Sequence, residues 1–182
     1  MRQFFASVLE VLEVAAVAIG AVFLIRHFLV QPFLVSGSSM VPNFANGDYL
    51  LIDELTYHFR APERGEVLVF RYPKDTSTYF IKRLIGLPGE TVQVKDNKVT
   101  IFNKENPNGL VLGENYLPKS FTTSGDEETT LGAGEYFMMG DNREYSYDSR
   151  SWGVLPASDI VGLVRLRLWP INDFTAFAAP QY

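Results

Sequence analysis

A serine in a turn-rich segment is the first candidate for chemistry in this chain. Residues 35–48 read VSGSSMVPNFANGD and concentrate serine, glycine and proline around Ser39. This composition suits neither a helix interior nor a central strand, because Gly and Ser disfavour helix and Pro cannot donate to a strand ladder. The segment is therefore predicted to be either a loop that presents a serine hydroxyl or a flexible Ser/Gly linker.

A serine hydroxyl becomes a nucleophile only when a nearby base takes its proton. The two histidines, His27 and His58, do not sit in loops with an acidic partner nearby. Lys82 and Arg83 are neighbours in a strand-like run, so their side chains point to opposite faces and one can be buried while the other meets solvent. A buried lysine can lose its proton and act as a base, and a Ser–Lys pair is a known variant of triad chemistry. The competing interpretation is an exposed strand lysine.

Residues 140–153, GDNREYSYDSRSWG, form a third polar feature. The segment is too polar for a core strand and too rich in opposed charges and aromatic residues for a flexible linker. One interpretation is a structural loop tied by Asp–Arg pairs. The functional interpretation is a loop that closes over a site and supplies a hydroxyl, from Ser146 or Ser149, to orient a base.

Three motifs in this order resemble the signature motifs of the type I signal peptidases. The first is Ser39-Met40 with Pro42 and the following Gly47-Asp48, although Asn43 stands where the family usually has threonine. The second is the run KRLIGLPGE that begins at Lys82, and the third is the segment 140–153. The resemblance extends over nearly the whole chain, from the apolar amino-terminal segment to about Trp169.

The resemblance implies a role for each of these residues. Ser39 would attack the peptide carbonyl, and Lys82, neutral in a dry pocket, would take its proton and pass it to the leaving amine. Ser146 would hydrogen-bond the amine of Lys82 and orient it. The backbone N–H of Ser39 would be one oxyanion donor, while Gly37 stands where some members carry a serine as the second. The remaining charged loop residues would be structural: Asp141, Arg143, Asp148 and Arg150.

Composition limits the alternatives. The absence of cysteine excludes a disulfide scaffold, a thiolate metal site and a cysteine nucleophile, and two histidines are too few for a His-rich metal site. A formal net charge of −5 without a basic patch disfavours nucleic acid as a partner. Neither a metal nor another cofactor is expected.

The amino-terminal segment is predicted to anchor the chain in a membrane. Residues 14–25 are uncharged and apolar or small, and a spanning helix from residue 8 to residue 30 reaches the length a bilayer requires, with residues 1–7 as a cytoplasmic end. A cleaved signal peptide and a buried helix of a soluble protein are alternatives. They fit less well, because no small-x-small site leads into a polar start and the apolar residues occupy all faces.

The rest of the chain is predicted to be mostly β. Short apolar runs bounded by turn residues indicate an antiparallel β-sheet catalytic core over residues 31–94 and 131–182, with a small, variable β subdomain inserted at 95–130. The predicted strands are residues 49–53, 66–72, 79–85, 91–94, 98–102, 134–139 and 160–169. Asp96-Asn97 reads as a hairpin turn.

The resemblance also implies the substrate and the location. The chain would be a membrane-bound serine endopeptidase that removes signal peptides from exported precursor proteins after an Ala-x-Ala-like site. It would be a single-pass protein of the lipid bilayer, with its catalytic domain on the extracytoplasmic side and the secretion machinery nearby. A self-cleaving repressor-type Ser–Lys protease would lack the apolar start. A catalytically inactive, membrane-anchored β domain that binds peptides or a partner stays an alternative.

Overall fold

The computed structural model describes residues 2–28 and 30–180, with side chains for residues 7–20 and 31–180. The chain begins with helix α1, Arg2–Phe28. Among the described residues, no helix has both the length and the apolarity needed to cross a membrane. The predicted anchor, residues 8–30, lies partly outside the described residues, and its last residue, Val30, belongs to the first strand rather than to the helix.

The larger sheet contains Lys82 and the two strands that flank the serine segment. Over the described part of the chain it has eight strands, all paired antiparallel, in the order β1-β2-β11-β3-β4-β9-β10, with β12 also pairing with β11. These strands are β1 Val30–Leu34, β2 Tyr49–Asp53, β3 Val67–Tyr72, β4 Asp75–Gly86, β9 Glu135–Met139, β10 Leu155–Pro156, β11 Ile160–Trp169 and β12 Thr175–Ala176.

A smaller antiparallel sheet is inserted between β4 and β9. Its four described strands have the order β7-β6-β5-β8 and are β5 Thr91–Lys95, β6 Lys98–Phe102, β7 Leu110–Val111 and β8 Glu127–Thr130. The β5–β6 turn has positive φ at Asp96 and Asn97, 51° and 59°, as a tight two-residue hairpin requires. The smaller sheet therefore begins at Thr91, whereas the second domain was expected to begin at residue 95. The division into two domains stays a prediction.

The central strand β3 explains why the larger sheet is stable. Its residues VLVF form one continuous apolar run and are all buried, as expected for a strand that is covered on both faces. Val67 and Val69 pack in a cluster with Met40 and Phe44, on the side of the serine segment. Leu68 and its neighbours pack on the opposite face, against β9 and the helix that follows it. A third cluster, which includes Leu112 and Leu131, fills the space between the two sheets.

The described helices other than α1 are short. Helix α2 is Thr56–Phe59 and helix α3 is Ser149–Trp152, with 3₁₀ turns at Ala157–Asp159 and Ile171–Asp173. The segment 103–130 supplies Leu112 to the cluster between the sheets and contains two short strands that the sequence did not predict. The apolar pattern missed these strands because two to four mostly polar residues carry no recognisable period.

Candidate active site

Ser39 lies in a closed loop between two neighbouring strands. β1 and β2 pair antiparallel, and the loop is tied at its base by hydrogen bonds from Val35 N to Asp48 O and from Gly47 N to Val35 O, each 2.9 Å. Within the loop, Phe44 N donates to Met40 O, and both side chains are buried in the core. The segment is therefore a folded loop with its own apolar anchors, and not a flexible linker.

Lys82 reaches this serine from the middle of the sheet. It lies on β4 opposite Leu68 of β3, and only 4% of the residue is exposed. Its amine Nζ is 2.6 Å from Ser39 Oγ and 3.0 Å from the Ile81 carbonyl oxygen. The nitrogen also lies 5.2 Å from the centre of the Phe80 ring. The predicted pair is thus brought within hydrogen-bonding distance.

Burial changes the acidity of this amine. Desolvation lowers the pKa of Lys82 from 10.5 to about 8, because the charged form loses water that the pocket does not replace. The carboxylates of Asp148 and Asp141 act in the opposite direction, since negative charge favours the ammonium form. The loss of water dominates, so a substantial fraction of the amine is neutral near neutral to mildly alkaline pH.

Arg83, the neighbour of Lys82, is buried as well. The sequence had predicted that one of these two side chains is buried and the other exposed to solvent. Arg83 Nε and Nη2 lie 2.7 and 2.6 Å from the two carboxylate oxygens of Asp141. Asn43, from the serine loop, donates to the same carboxylate at 2.9 Å. Asp141 of segment 140–153 thus provides a buried partner for the Arg83 guanidinium, and both Lys82 and Arg83 are buried. Sequence reasoning missed Arg83 and Asn43 as partners of Asp141; three polar residues from three segments give no shared local pattern.

Ion pairs and hydrogen bonds within segment 140–153 stabilise its conformation. Asp148 caps helix α3 by accepting from Arg150 N, accepts from Gly140 N at 3.0 Å, and pairs with the guanidinium of Arg150 at 2.8 Å. The backbone N–H of Asn142 donates to the Ser39 carbonyl at 2.9 Å, which joins this segment directly to the serine loop. A Cβ at Gly140 would overlap this carbonyl oxygen, so glycine permits the close approach.

Arg143 connects the same segment to the inserted region. Its guanidinium forms an ion pair with Glu114 and donates to Thr123 Oγ1 at 2.9 Å and to the Tyr116 hydroxyl at 3.1 Å. Arg143 is 1% exposed, so these partners replace the water it has lost. The sequence pointed to Arg143 but not to Glu114, Tyr116 or Thr123, because they lie in a polar stretch without any recognisable motif.

The two candidate hydroxyls differ in their surroundings. Ser149 Oγ accepts a hydrogen bond from Met138 N at 2.9 Å and so binds a backbone donor near the end of β9. Ser146 Oγ is buried and has no hydrogen-bond partner among the described residues. The expected hydrogen bond between Ser146 and Lys82 is therefore not formed in this structure. Ser146 Oγ does lie close to Gly140, where an added Cβ would overlap it.

A cavity of about 330 Å³ opens beside the pair. Residues 33–39 form one wall, the Tyr79–Lys82 stretch of β4 forms the other, and Tyr145 and Tyr147 stand at its margin. Over the described residues, β4 pairs with β9 only from Arg83 onward, so the preceding stretch offers an unpaired strand edge to the cavity. Within the same residues, no group of three or more His, Cys, Asp or Glu could hold a metal ion.

Together, the fold and these contacts define a class of protein: an antiparallel β protein in which a buried lysine amine contacts the hydroxyl of a loop serine, as in Ser–Lys hydrolases. A family described as "Signal peptidase, peptidase S26" matches residues 8–169. The chain belongs to this family. It is therefore a serine-type hydrolase that removes signal peptides.

Two relatives in sequence agree with the family match. A signal peptidase I of Leptolyngbya laminosa is 36% identical over 166 residues, covering 86% of this chain and 77% of the relative. A signal peptidase IB of Staphylococcus aureus (strain COL) is 29% identical over 179 residues, covering 92% and 93%. The crystal structure of a signal peptidase I from Enterococcus faecalis V583 is 32% identical with a TM-score of 0.48, covering 57% of this chain and 97% of that chain.

The buried Asp141–Arg83 pair gives a stability prediction. Asp141→Asn removes the charge that faces a buried guanidinium, so the free energy of unfolding should fall by about 3–5 kcal/mol. The matched control is Asp126→Asn, whose carboxylate is 83% exposed and 3.8 Å from Lys95, and which should change little. Urea denaturation followed by circular dichroism measures both. Equal stability of the two variants would show that the buried pair is not needed for the fold.

Proposed function

We propose that Ser39 is the nucleophile and Lys82 the general base of this signal peptidase. The observation that carries the proposal is the 2.6 Å contact between Lys82 Nζ and Ser39 Oγ, made by an amine that is almost fully buried. When Lys82 is neutral, the serine hydroxyl donates to the amine, which is the arrangement from which proton transfer begins.

In the proposed reaction, Ser39 Oγ attacks the carbonyl carbon of the scissile peptide bond as Lys82 accepts the hydroxyl proton. The tetrahedral intermediate then collapses, the carbon–nitrogen bond breaks, and Lys82 gives the proton to the leaving amine. A water molecule then attacks the carbonyl carbon of the resulting ester while Lys82 accepts a proton from it. The bond between this carbon and Ser39 Oγ breaks, Lys82 returns the proton to Ser39 Oγ, and the acid is released. Each proton that Lys82 takes is returned, so no other reagent is consumed.

The supporting groups of this mechanism are also proposals. The backbone N–H of Ser39 would donate to the oxyanion, while Gly37 N already donates to Asn46 Oδ1 at 3.0 Å and offers no side-chain donor. Ser146 would orient Lys82 once the amine is neutral. A buried hydroxyl without a partner costs roughly 1–3 kcal/mol, which supports a role that appears during the reaction. Asp141, Arg143, Asp148 and Arg150 would hold the segment in place.

For the substrate, we propose an extended precursor segment with small residues at alternate positions, cut after an Ala-x-Ala-like site. Such a segment could add to the unpaired edge of β4 at Tyr79–Ile81, which borders the cavity. Alternate side chains of a strand point the same way, so two of them would enter the cavity together.

Removing either member of the pair should stop cleavage. Ser39→Ala lacks the nucleophile, and Lys82→Arg keeps the charge but cannot act as a base, because a guanidinium does not lose its proton. We expect each to lower kcat at least about 1,000-fold on a precursor protein in detergent, with the cut mapped by mass spectrometry. Lys98→Arg, on an exposed position of β6, is the matched control and should keep normal activity.

Full activity of Lys82→Arg would show that the lysine is only structural. A wild-type chain that folds and cleaves no precursor would support the alternative, a membrane-anchored β domain that binds peptides or a partner.

The rate should also depend on the protonation of Lys82. Because only the neutral amine accepts a proton and its pKa is lowered to about 8, kcat/KM should rise with pH through about 8 and level off above it. At acidic pH the amine is charged and the rate should be low. The measurement is kcat/KM on a precursor peptide between pH 5 and 10, and a flat profile would contradict a lysine base.

We further propose that the chain is a single-pass membrane protein whose anchor is the predicted segment 8–30 and whose catalytic domain is extracytoplasmic. Two features support it. The apolar side chains described in α1 are exposed, Val17 to 68% and Ile19 to 71%. On the larger sheet, exposed Leu34 and Trp169 both lie opposite Tyr49 across adjacent strands, which forms an apolar row. The secretion machinery that delivers precursors would lie nearby.

Membrane attachment has a direct measurement. After extraction of cell membranes at alkaline pH, the full chain should stay in the pellet, because an apolar span is not released by loss of electrostatic contacts. A chain lacking residues 2–28 should move toward the soluble fraction and still cleave a precursor peptide in detergent. Release of the full chain into the supernatant would contradict a membrane span.

A further inference from the structure

The carboxyl-terminal segment returns to the nucleophile loop. The family match ends at residue 169, yet the chain continues and turns back through β12. β12 pairs antiparallel with β11, and Phe177 N donates to the Arg165 carbonyl at 2.9 Å. These contacts direct the side chain of Phe177 to the cluster that contains Phe44 of the serine loop.

Arg167 of β11 joins two points of the serine loop. Its Nε lies 2.9 Å from the carboxylate of Asp48, with the side chains 14% and 5% exposed. Its Nη2 donates to the carbonyl oxygen of Asn43. Asp48 in turn accepts from Ala45 N at 2.9 Å. The contact with Asp48 is an ion pair without hydrogen-bond geometry, since Arg167 Nε has no hydrogen-bond partner among the described residues. With the Nη2 hydrogen bond, the planar guanidinium still contacts both the end and the middle of the loop.

Two aromatic rings pack beside this guanidinium on one side. Arg167 Cζ lies 5.6 Å from the centre of the Phe44 ring and 5.4 Å from that of the Phe177 ring. The two rings also contact each other, with centroids 4.5 Å apart. Phe177 therefore shields the Arg167 contacts from water, which strengthens them.

These contacts lie one turn away from Ser39. Phe44 N donates to Met40 O, and Met40 directly follows Ser39. The opposite side of the loop is fixed by Asn142, whose N–H donates to the Ser39 carbonyl. Ser39 is thus held between segment 140–153 on one side and Arg167 with Phe177 on the other.

We propose that Arg167 and Phe177 are positioning residues for the reaction, which hold the serine loop so that Ser39 Oγ stays in contact with Lys82. The proposal rests on the proposed function of Ser39 and adds a part of the chain that no catalytic motif includes. Neither residue lines the cavity where the substrate is expected to bind. Substitutions that weaken the contacts of Arg167 or Phe177 should slow the chemical step and leave substrate binding unchanged, since reaction rates fall steeply when reacting groups are misplaced by about 1 Å.

The first test compares two phenylalanines of the same segment. Phe177→Ala should lower kcat on a precursor peptide about 10-fold or more with KM unchanged. Phe174→Ala is the matched control, because Phe174 is 58% exposed, and it should keep the wild-type kcat. Phe177→Leu restores an apolar side chain over Phe44 and should recover most of the rate.

The second test compares two arginines of the same strand. Arg167→Lys keeps the positive charge but cannot reach Asp48 and the Asn43 carbonyl with one planar group, so kcat should fall while KM stays constant. Arg165→Lys is the control, because Arg165 is 44% exposed and pairs with Asp53. Wild-type kcat in both Phe177→Ala and Arg167→Lys, as in their controls Phe174→Ala and Arg165→Lys, would overturn the proposal. A rise in KM without a change in kcat would overturn it too.

A measurement without catalysis separates this proposal from the proposed function. Amide hydrogen exchange of residues 39–47, followed by mass spectrometry, should be faster in Phe177→Ala than in Phe174→Ala, with other segments of the larger sheet unchanged. If the wild-type protein cleaves no precursor but residues 39–47 still exchange faster in Phe177→Ala than in Phe174→Ala, the function of Ser39 is refuted and the positioning contact is supported. Uniformly faster exchange over the whole domain would show a general loss of stability and refute the positioning role.

Discussion

The structure depends on keeping the Lys82 amine away from water without giving it a carboxylate as a close partner. Burial lowers the pKa of this group to about 8, and a close ion pair would reverse that effect, because an adjacent negative charge stabilises the ammonium form. The surroundings of Nζ meet this requirement with the Ser39 hydroxyl, the Ile81 carbonyl and the face of the Phe80 ring. None of these groups carries a full charge.

The carboxylates near Lys82 are occupied by arginines. Asp141 is bound in a fork by Arg83, and Asp148 is bound by Arg150 and by the backbone of its own segment. Each buried charge is thus compensated locally, which avoids the cost of an unpaired ion in the interior. The inserted region contributes to the same network through the Glu114–Arg143 pair. The polar segment 140–153 therefore acts as a rigid wall of the site.

The sequence predicted the parts of this arrangement that rest on local patterns. The strands at 49–53, 98–102 and 160–169 and the Asp96-Asn97 turn were predicted from apolar runs and turn residues, and the structure confirms them. The short strands β7, β8, β10 and β12 were not predicted, since two to four residues carry no recognisable period and are strands only through pairing with a longer strand. Arg83 was expected to contrast with Lys82, but both are buried, because Arg83 pairs with the buried carboxylate of Asp141, a partner that strand alternation does not reveal.

The sequence by itself determined which residues are available for chemistry: a serine in a turn-rich loop, one lysine in an apolar strand and no cysteine. It also determined the family, because the motif order is a property of the linear chain. Only the tertiary structure decided that the Lys82 amine is buried away from water and that Asp141 pairs with Arg83. It also decided that Ser146 has no hydrogen-bond partner among the described residues and that Phe177 contacts Phe44. These properties depend on distances between residues far apart in sequence, and such distances are set by how the sheets pack.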